Sequence, residues 1–587
     1  MKHIYIIAAM MTASLLTAAA QELNSEFTVT HQVVPEEQAA TRLQLLPSIA
    51  LRPVEAGRLP ASTLLGHTAL MPVTAGLEPA PWQTSLPRWP WRGYAQLAYG
   101  PAYNLDASAG YRVAASKNFS LDAFMQFNGF KYSSKHPDRA YRVYGPQRMW
   151  RDSFTAGFRS TWNPVRDASL KLGGHYNFSA HNIPMPVVDL SLPVPGPFAD
   201  PELCTINRNF VNHNGVALSA EWRHAVSRKF SYTAGASYGL TAFSRYPDAP
   251  HENRGSLSAG LRYDHGRRSH WMMDISALWI SVDGFGHKGV LSFAPRYQLT
   301  LSHFSTSIGF KADFRMGNVK NMSLRPDITN NYVTTVGWLY PQIDLRWRPS
   351  SKFTLWGRTD GRTDANSLAA LFEAQPYNYP ANYSPVTYWN DGATQTIREP
   401  LAYSRIYNFE TGMTIGPWYG ASITAFAGFH MASDWLMPGT RTGYWEEHDV
   451  AGGLYGIALD YSYRSYIAVK ARLELSSADD GDYDSGYYLW RDHARMDLTL
   501  SASSHPIKPL AIDITYHLRT NRQKQLPGDA DQNLGNIRDL GASAAYDITD
   551  RWTVSLRGEN LMNHIYYLGP AIPSQGIRFM AGATYKF

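Results

Sequence analysis

The last twelve residues, 576–587, read GIRFMAGATYKF. Ile577, Phe579, Ala581, Ala583, Tyr585 and Phe587 share one parity, and Arg578, Met580, Gly582, Thr584 and Lys586 share the other. A period of two marks a strand with one apolar and one polar face. Chain ends usually fray into polar residues, yet this strand stays apolar on one face to its final side chain. That combination predicts a strand whose outer face meets something other than water.

The same texture runs through the chain from about Gly93. Phe230, Tyr232, Ala234, Ala236, Tyr238, Leu240 and Ala242 alternate with Ser231, Thr233, Gly235, Ser237 and Thr241. Ile467, Val469, Ala471, Leu473 and Leu475 alternate with Lys470, Arg472, Glu474 and Ser476. Leu510, Ile512, Ile514, Tyr516 and Leu518 alternate with Asp513, Thr515, His517 and Arg519. Charge on the inward parity suits a wet interior, because unpaired charge in an apolar core is costly. Such segments number about 22 between residues 93 and 587.

Their connections sort by length. After even-numbered segments come short turns: PVRD (164–167), VSRK (226–229), GRRS (266–269), PSSK (349–352), GPWY (416–419) and ITD (548–550). After odd-numbered segments come all the long ones, at 133–151, 183–211, 317–332, 363–402, 434–446, 479–488 and 522–534. Turns on one rim and loops on the other is the pattern of an outer-membrane barrel, with the turns in the periplasm. The fold class expected is therefore all-β, a transmembrane antiparallel barrel of about 22 strands over 92–587. A soluble multi-sandwich protein would also give short alternating strands, but not one-sided loop lengths.

Composition agrees. Charged residues are 17% and aromatics 13% of the 587 residues, against a usual charged share of about 25%. Mean hydropathy is −0.32, because alternation averages the apolar faces away. Past the N-terminus no run of 18 apolar residues offers a spanning helix. Residues 1–20, MKHIYIIAAMMTASLLTAAA, have a short basic start, an apolar stretch and an A-x-A site, the form of a secretory signal peptide. No cysteine follows that site, so no lipoprotein anchor is expected. Residues 21–91 hold nine prolines and little alternation. They read as an extended, turn-rich segment in the periplasm or inside the lumen. Cys204 is the single cysteine, so no disulfide forms within the chain. The net charge of +6 is scattered without basic runs, which argues against a nucleic-acid partner.

A more specific signal lies in RWTVSLRGENLMNHIYYLGPAIPSQGIRFMAGATYKF, residues 551–587. Glu559-Asn560-Leu561-Met562-Asn563, Tyr566-Tyr567, Pro573, Gly576-Ile577 and the closing Tyr585-Lys586-Phe587 resemble the C-terminal hairpin of TonB-dependent receptors. The resemblance implies a barrel that binds or transports a ligand across the outer membrane. It also implies that Tyr585 and Phe587 form an assembly signal read by the barrel assembly machinery. Members of that family carry a plug domain inside the barrel, longer than the roughly 70 residues of 21–91. The expectation is a barrel lacking that plug. Its lumen would then be filled by the N-terminal segment, by loops 183–211 and 363–402 turned inward, or by another protein. The alternative is a non-transporting scaffold or accessory subunit of an outer-membrane complex, with a lipoprotein or other outer-membrane protein as candidate partner beside the lipid itself.

Candidate chemistry is sparse. In loop 363–402, Tyr377, Tyr379, Tyr383, Tyr388 and Trp389 offer ring faces for a sugar or other cyclic ligand. Asp479, Asp480, Asp482 and Asp484 offer carboxylates to Ca²⁺, as do Asp529 and Asp531, but the second group lacks the glycine and closing glutamate of a calcium loop. The 19 histidines show no tight ligand spacing; His175 and His181 are six apart in a strand. No G-x-S-x-G or other nucleophile signature occurs. The expectation is no catalytic residue, no resident metal and no cofactor.

Overall fold

The computed structural model describes residues 91–134, 147–165, 167–182, 210–244, 251–266, 268–283, 286–320, 331–333, 337–370, 388–390, 393–395, 403–438, 445–463, 466–478, 496–520, 523–524, 532–533, 536–569 and 572–587. The expected signal peptide, nearly all of the 21–91 segment, Cys204 and the acidic stretches 479–484 and 529–531 lie outside them.

Twenty-two long strands form one antiparallel sheet that closes on itself. In chain order they are β1 (Gly93–Gly100), β2 (Asn104–Ala115), β3 (Phe119–Ser134), β4 (Gln147–Trp162), β5 (Ala168–Asn182) and β6 (Phe210–Ala225). Next come β7 (Phe230–Ser244), β8 (His251–Asp264), β9 (Ser269–Val282), β10 (Gly286–Thr300), β11 (Phe304–Lys320) and β12 (Gly337–Ser350). Then follow β13 (Phe353–Ala365), β14 (Tyr403–Trp418), β15 (Ala421–Pro438), β16 (Trp445–Tyr463) and β17 (Ile467–Ala478). The last are β18 (Met496–Ile507), β19 (Leu510–Thr520), β20 (Ile537–Asp547), β21 (Trp552–Glu559) and β22 (Arg578–Lys586). Short pieces such as Asn331–Val333, which extends the sheet beside β11, decorate the loops.

Each strand pairs with its sequence neighbours, and β22 pairs with β1 from Tyr94↔Lys586 to Tyr99↔Ala581. Closure pairs the first and last strands, so the seam leaves no unpaired edge for a bilayer to meet. The terminal residue completes the seam. The Phe587 carbonyl accepts the N–H of Arg92 (2.7 Å) and of Gly93 (2.8 Å), and its own N–H donates to the Gly93 carbonyl (2.9 Å). Its ring stacks on Tyr111 and Tyr585 at 6.0 and 5.9 Å. A Cβ at Gly93 would stand 2.8 Å from that ring, so glycine makes the close approach possible.

The connections after even-numbered strands are two to five residues long, and all the long ones follow odd-numbered strands. One of the two-residue turns is Tyr419–Gly420 between β14 and β15, where both residues adopt positive φ (49° and 88°). A Cβ on Gly420 would meet the Ser462 carbonyl at 2.0 Å.

The outward parity is apolar and open to the surroundings, as at Leu97, Leu218, Leu257, Ile308, Ile457 and Leu556. Outward aromatics gather near the turn rim, with Trp162, Trp271, Trp347 and Trp552 at strand ends, and again near the loop rim at Tyr99, Trp279 and Phe314. An apolar band between two aromatic girdles is what a bilayer selects. The chain is an outer-membrane β-barrel, with its turns in the periplasm and its loops outside.

Candidate functional site: the lumen and its outer mouth

Alternation that turns apolar side chains to lipid turns the other parity into the lumen. In β8, Leu257, Leu261 and Tyr263 face out while Glu252, Arg254, Ser256, Arg262 and Asp264 face in. Buried charge in a low dielectric needs a partner, and many described charges of the inner wall find one on a neighbouring strand. Arg112 meets Asp122 at 2.9 Å between β2 and β3. Arg358 donates to Glu410 (2.8 Å) between β13 and β14, and Asn408 links Asp360 and His430 at 2.9 Å each. Asp497 holds His517 (3.0 Å) and Arg519 (3.2 Å) between β18 and β19. The network also crosses the closing seam. Arg557 on β21 pairs with Asp106 on β2, and Glu559 lies 3.2 Å from Arg557 and pairs with Arg578. These pairs fix the inner wall while leaving a polar, water-compatible surface.

Two elements turn inward at the outer mouth. The first is the connection after β21. Asn560 and Asn563 take left-handed φ of 45° and 50°, which asparagine tolerates better than most residues. The Asn560 side chain accepts the His564 N–H (3.0 Å) and donates to the His564 and Gln575 carbonyls (2.9 Å each). Asn563 accepts the Ile577 N–H (3.0 Å). The two asparagines of the Asn-Leu-Met-Asn motif therefore tie both ends of the loop together. The loop carries Tyr566 into a buried cluster with Tyr132 and Met149 from the tops of β3 and β4 and Ile537 from β20.

The second element lies on the opposite side. The β12–β13 ladder runs from Ser350↔Phe353 up to Ile343↔Thr359 and stops there. Pro341, two residues further, has no N–H to give. Above that point β13 and β14 stay paired with each other, up to Ala365↔Tyr403, but leave the line of the wall. They pass behind β10–β12, outer face against inner wall. Tyr340, on the parity opposite the 63% exposed Leu339, is itself fully buried. Its hydroxyl lies 2.6 Å from that of Thr363, and its ring packs on Tyr407 at 4.9 Å. The Thr363 N–H donates to Asp313 on β11 (2.7 Å). The Tyr403 hydroxyl reaches the Gly289 and Met316 carbonyls (2.9 and 2.8 Å). Arg405 lies over Trp338 at 4.2 Å and Arg315 over Tyr403 at 4.9 Å. Beyond β13, the helical turn at 368–370 presents the Leu368 and Ala369 N–H groups to the buried Glu252 carboxylate on β8, the latter at 3.4 Å.

The first residues of loop 363–402 thus turn inward, as one of the three expected fillings of the lumen requires. Of the five aromatics singled out there, Tyr377, Tyr379 and Tyr383 lie outside the described residues. Tyr388 and Trp389 lie on a small hairpin, 388–390 against 393–395. Tyr585 and Phe587 sit at the periplasmic end of the seam, with Tyr585 on Trp552 at 4.8 Å. Among the described residues no three His, Cys, Asp or Glu side chains are grouped to hold a metal ion.

A closed 22-stranded barrel with a charged lumen, long outer loops and an apolar belt defines the class: a large outer-membrane β-barrel. No protein-family model matches the sequence, and no curated protein matches it. Solved structures do share the fold. The FrpB iron transporter of Neisseria meningitidis superposes with a TM-score of 0.62 at 11% identity, over 85% of this chain and 81% of that one. The siderophore receptor PirA of Acinetobacter baumannii gives 0.63 at 10% identity, over 84% and 80%. The copper transporter OprC gives 0.58 at 12% identity, over 84% and 80%. The barrel resemblance read from the C-terminal hairpin thus holds for the architecture as a whole.

Proposed function

We propose that this barrel is an outer-membrane receptor that captures a solute at its outer loops and passes it through the lumen. The observation that supports this reading is the inner wall, where charges are paired strand to strand around a polar surface. A purely structural barrel has no need to line its interior with so many satisfied charges. The fold neighbours are named as an iron transporter, a siderophore receptor and a copper transporter, so metal ions and metal chelates are the first cargo class to test. Tyr377, Tyr379, Tyr383, Tyr388 and Trp389 are the proposed ring-stacking contacts for a chelate with aromatic or cyclic groups. Export by residues 1–20 and assembly through Tyr585 and Phe587 complete the proposal. Cells bearing or lacking the protein are compared for uptake of radiolabelled iron and copper, free and chelated. Uptake that needs the protein and falls when the five loop aromatics become alanine supports the reading. Equal uptake with and without the protein, for every cargo, overturns it.

A further inference from the structure

The inward turn of β13 and β14 is built like a latch, and we propose that it works as one. The upper ends of these strands, 360–365 and 403–408, together with 366–370, form an internal lid. It narrows the outer mouth when held on the inner wall and widens it when released toward β12. Three features carry this. First, the wall has a defined hinge: the β12–β13 ladder is unbroken from Trp347↔Leu355 to Ile343↔Thr359 and stops just below Pro341. Second, beside the β14–β15 ladder that carries Arg405–Asn408, the described contacts of the lid with the inner wall are single side-chain bonds, the Tyr340–Thr363 hydroxyl pair among them. Asp313 takes the Thr363 N–H, Glu252 takes those of Leu368 and Ala369, and Tyr403 reaches the carbonyls of Gly289 and Met316. Sheet pairing would bind it with a whole ladder; these contacts are discrete and can be exchanged one by one. Third, the surfaces between lid and wall are flat rings and guanidinium groups, Tyr340 on Tyr407 and Arg405 on Trp338, which tolerate sliding better than interlocked aliphatic packing.

The lid sits across the lumen from the Tyr566 loop, so its position sets the width of the mouth. It acts on whatever passes, and so does not depend on the identity of the cargo. It rests on the transport reading only in that a path through the lumen must exist.

The test is single-channel conductance of the full-length protein in planar bilayers. Conductance follows open cross-section, so releasing the lid by Glu252→Ala with Asp313→Ala is expected to raise it roughly two-fold. A second protein, Asp313→Cys with Thr363→Cys in a Cys204→Ser background, locks the lid by oxidation and frees it by reduction. It is expected to stay at the wild-type level when oxidised and to rise when reduced. Because the locked and freed states are the same polypeptide, a folding defect cannot imitate the difference. The lid is refuted if the double alanine variant, shown to be folded by its heat-dependent gel shift, conducts as the wild type does. It is equally refuted if oxidised and reduced forms conduct alike, silence in both included. A reversible conductance step in a protein that promotes no metal or chelate uptake would instead refute the cargo reading and keep the lid.

Discussion

The terminal residue offers a quantitative test of how the barrel closes. Phe587 contributes in two separable ways. Its ring is 44% exposed and stacks on two aromatics. Truncating a fully buried Phe costs about 3–5 kcal/mol, so a half-covered ring is worth about 2 kcal/mol. The two stacks raise this to about 3 kcal/mol. Its backbone makes three hydrogen bonds to Arg92 and Gly93, each worth about 1 kcal/mol net. Phe587→Ala should therefore cost about 3 kcal/mol, and deletion of the residue about 6 kcal/mol. Urea unfolding of the refolded barrel in lipid vesicles, followed by tryptophan fluorescence, measures both. The ordering matters more than the absolute values, since only deletion opens the seam. If both variants unfold within about 1 kcal/mol of the wild type, the last residue does not close the barrel and the seam energetics argued here are wrong. The same two proteins test the assembly signal. A Phe587→Ala barrel that refolds well in vitro but accumulates poorly in the outer membrane locates the ring's role in sorting. Normal accumulation removes that role.

Two further outcomes follow from the wall and the outer loop. Leu257→Arg places a charge in the lipid-facing band and should cost about 2–4 kcal/mol, whereas Ser256→Arg, one residue away and facing the lumen, should cost much less; equal losses in vesicle unfolding would contradict the assigned facing. Asn560→Gly keeps the left-handed backbone but loses three side-chain hydrogen bonds, and should destabilise the barrel by about 2–4 kcal/mol, with Asn560→Ala about 1 kcal/mol worse for its positive φ. Thermal unfolding that ranks alanine above glycine would argue against the strained turn.

Much of the architecture was legible because a strand advertises its facing every second residue. Leu473 beside Arg472, or Ile514 beside Asp513, gives strand phase without any knowledge of the partner strand, and the loop asymmetry then gives the two rims. Strand ends were less legible. The twenty-first stops at Glu559, where Asn560 turns left-handed, although apolar and aromatic residues continue to Tyr567. The fifteenth and sixteenth continue past the expected loop boundaries, because hairpin pairing from Trp435↔His448 to Pro438↔Trp445 carries them outward. The site was hardly legible. Asp106 and Arg557 are 451 residues apart and meet only because the sheet closes. The inward turn of β13 left one mark in the sequence, Pro341, and a proline in a strand has several structural meanings. The Asn560–Asn563 motif was visible as a family likeness, but its physical task depends on bonds to Gln575 and Ile577 across the loop.

The interrupted ladder above Ile343 also changes what kind of object the barrel is. In a closed cylinder, strand number and stagger fix the radius. At the periplasmic rim this protein obeys that rule, with every strand paired to two neighbours. At the outer rim the sheet overlaps itself, so it is a scroll there, and a scroll has no fixed radius. An overlap of two to three strands, at about 4.8 Å each, shortens the rim by about 10–14 Å and its diameter by about 3–5 Å. One strand count therefore yields two diameters, a rigid one below and an adjustable one above. The protein is a tapered tube whose narrow end can be resized without breaking the cylinder that holds it in the membrane.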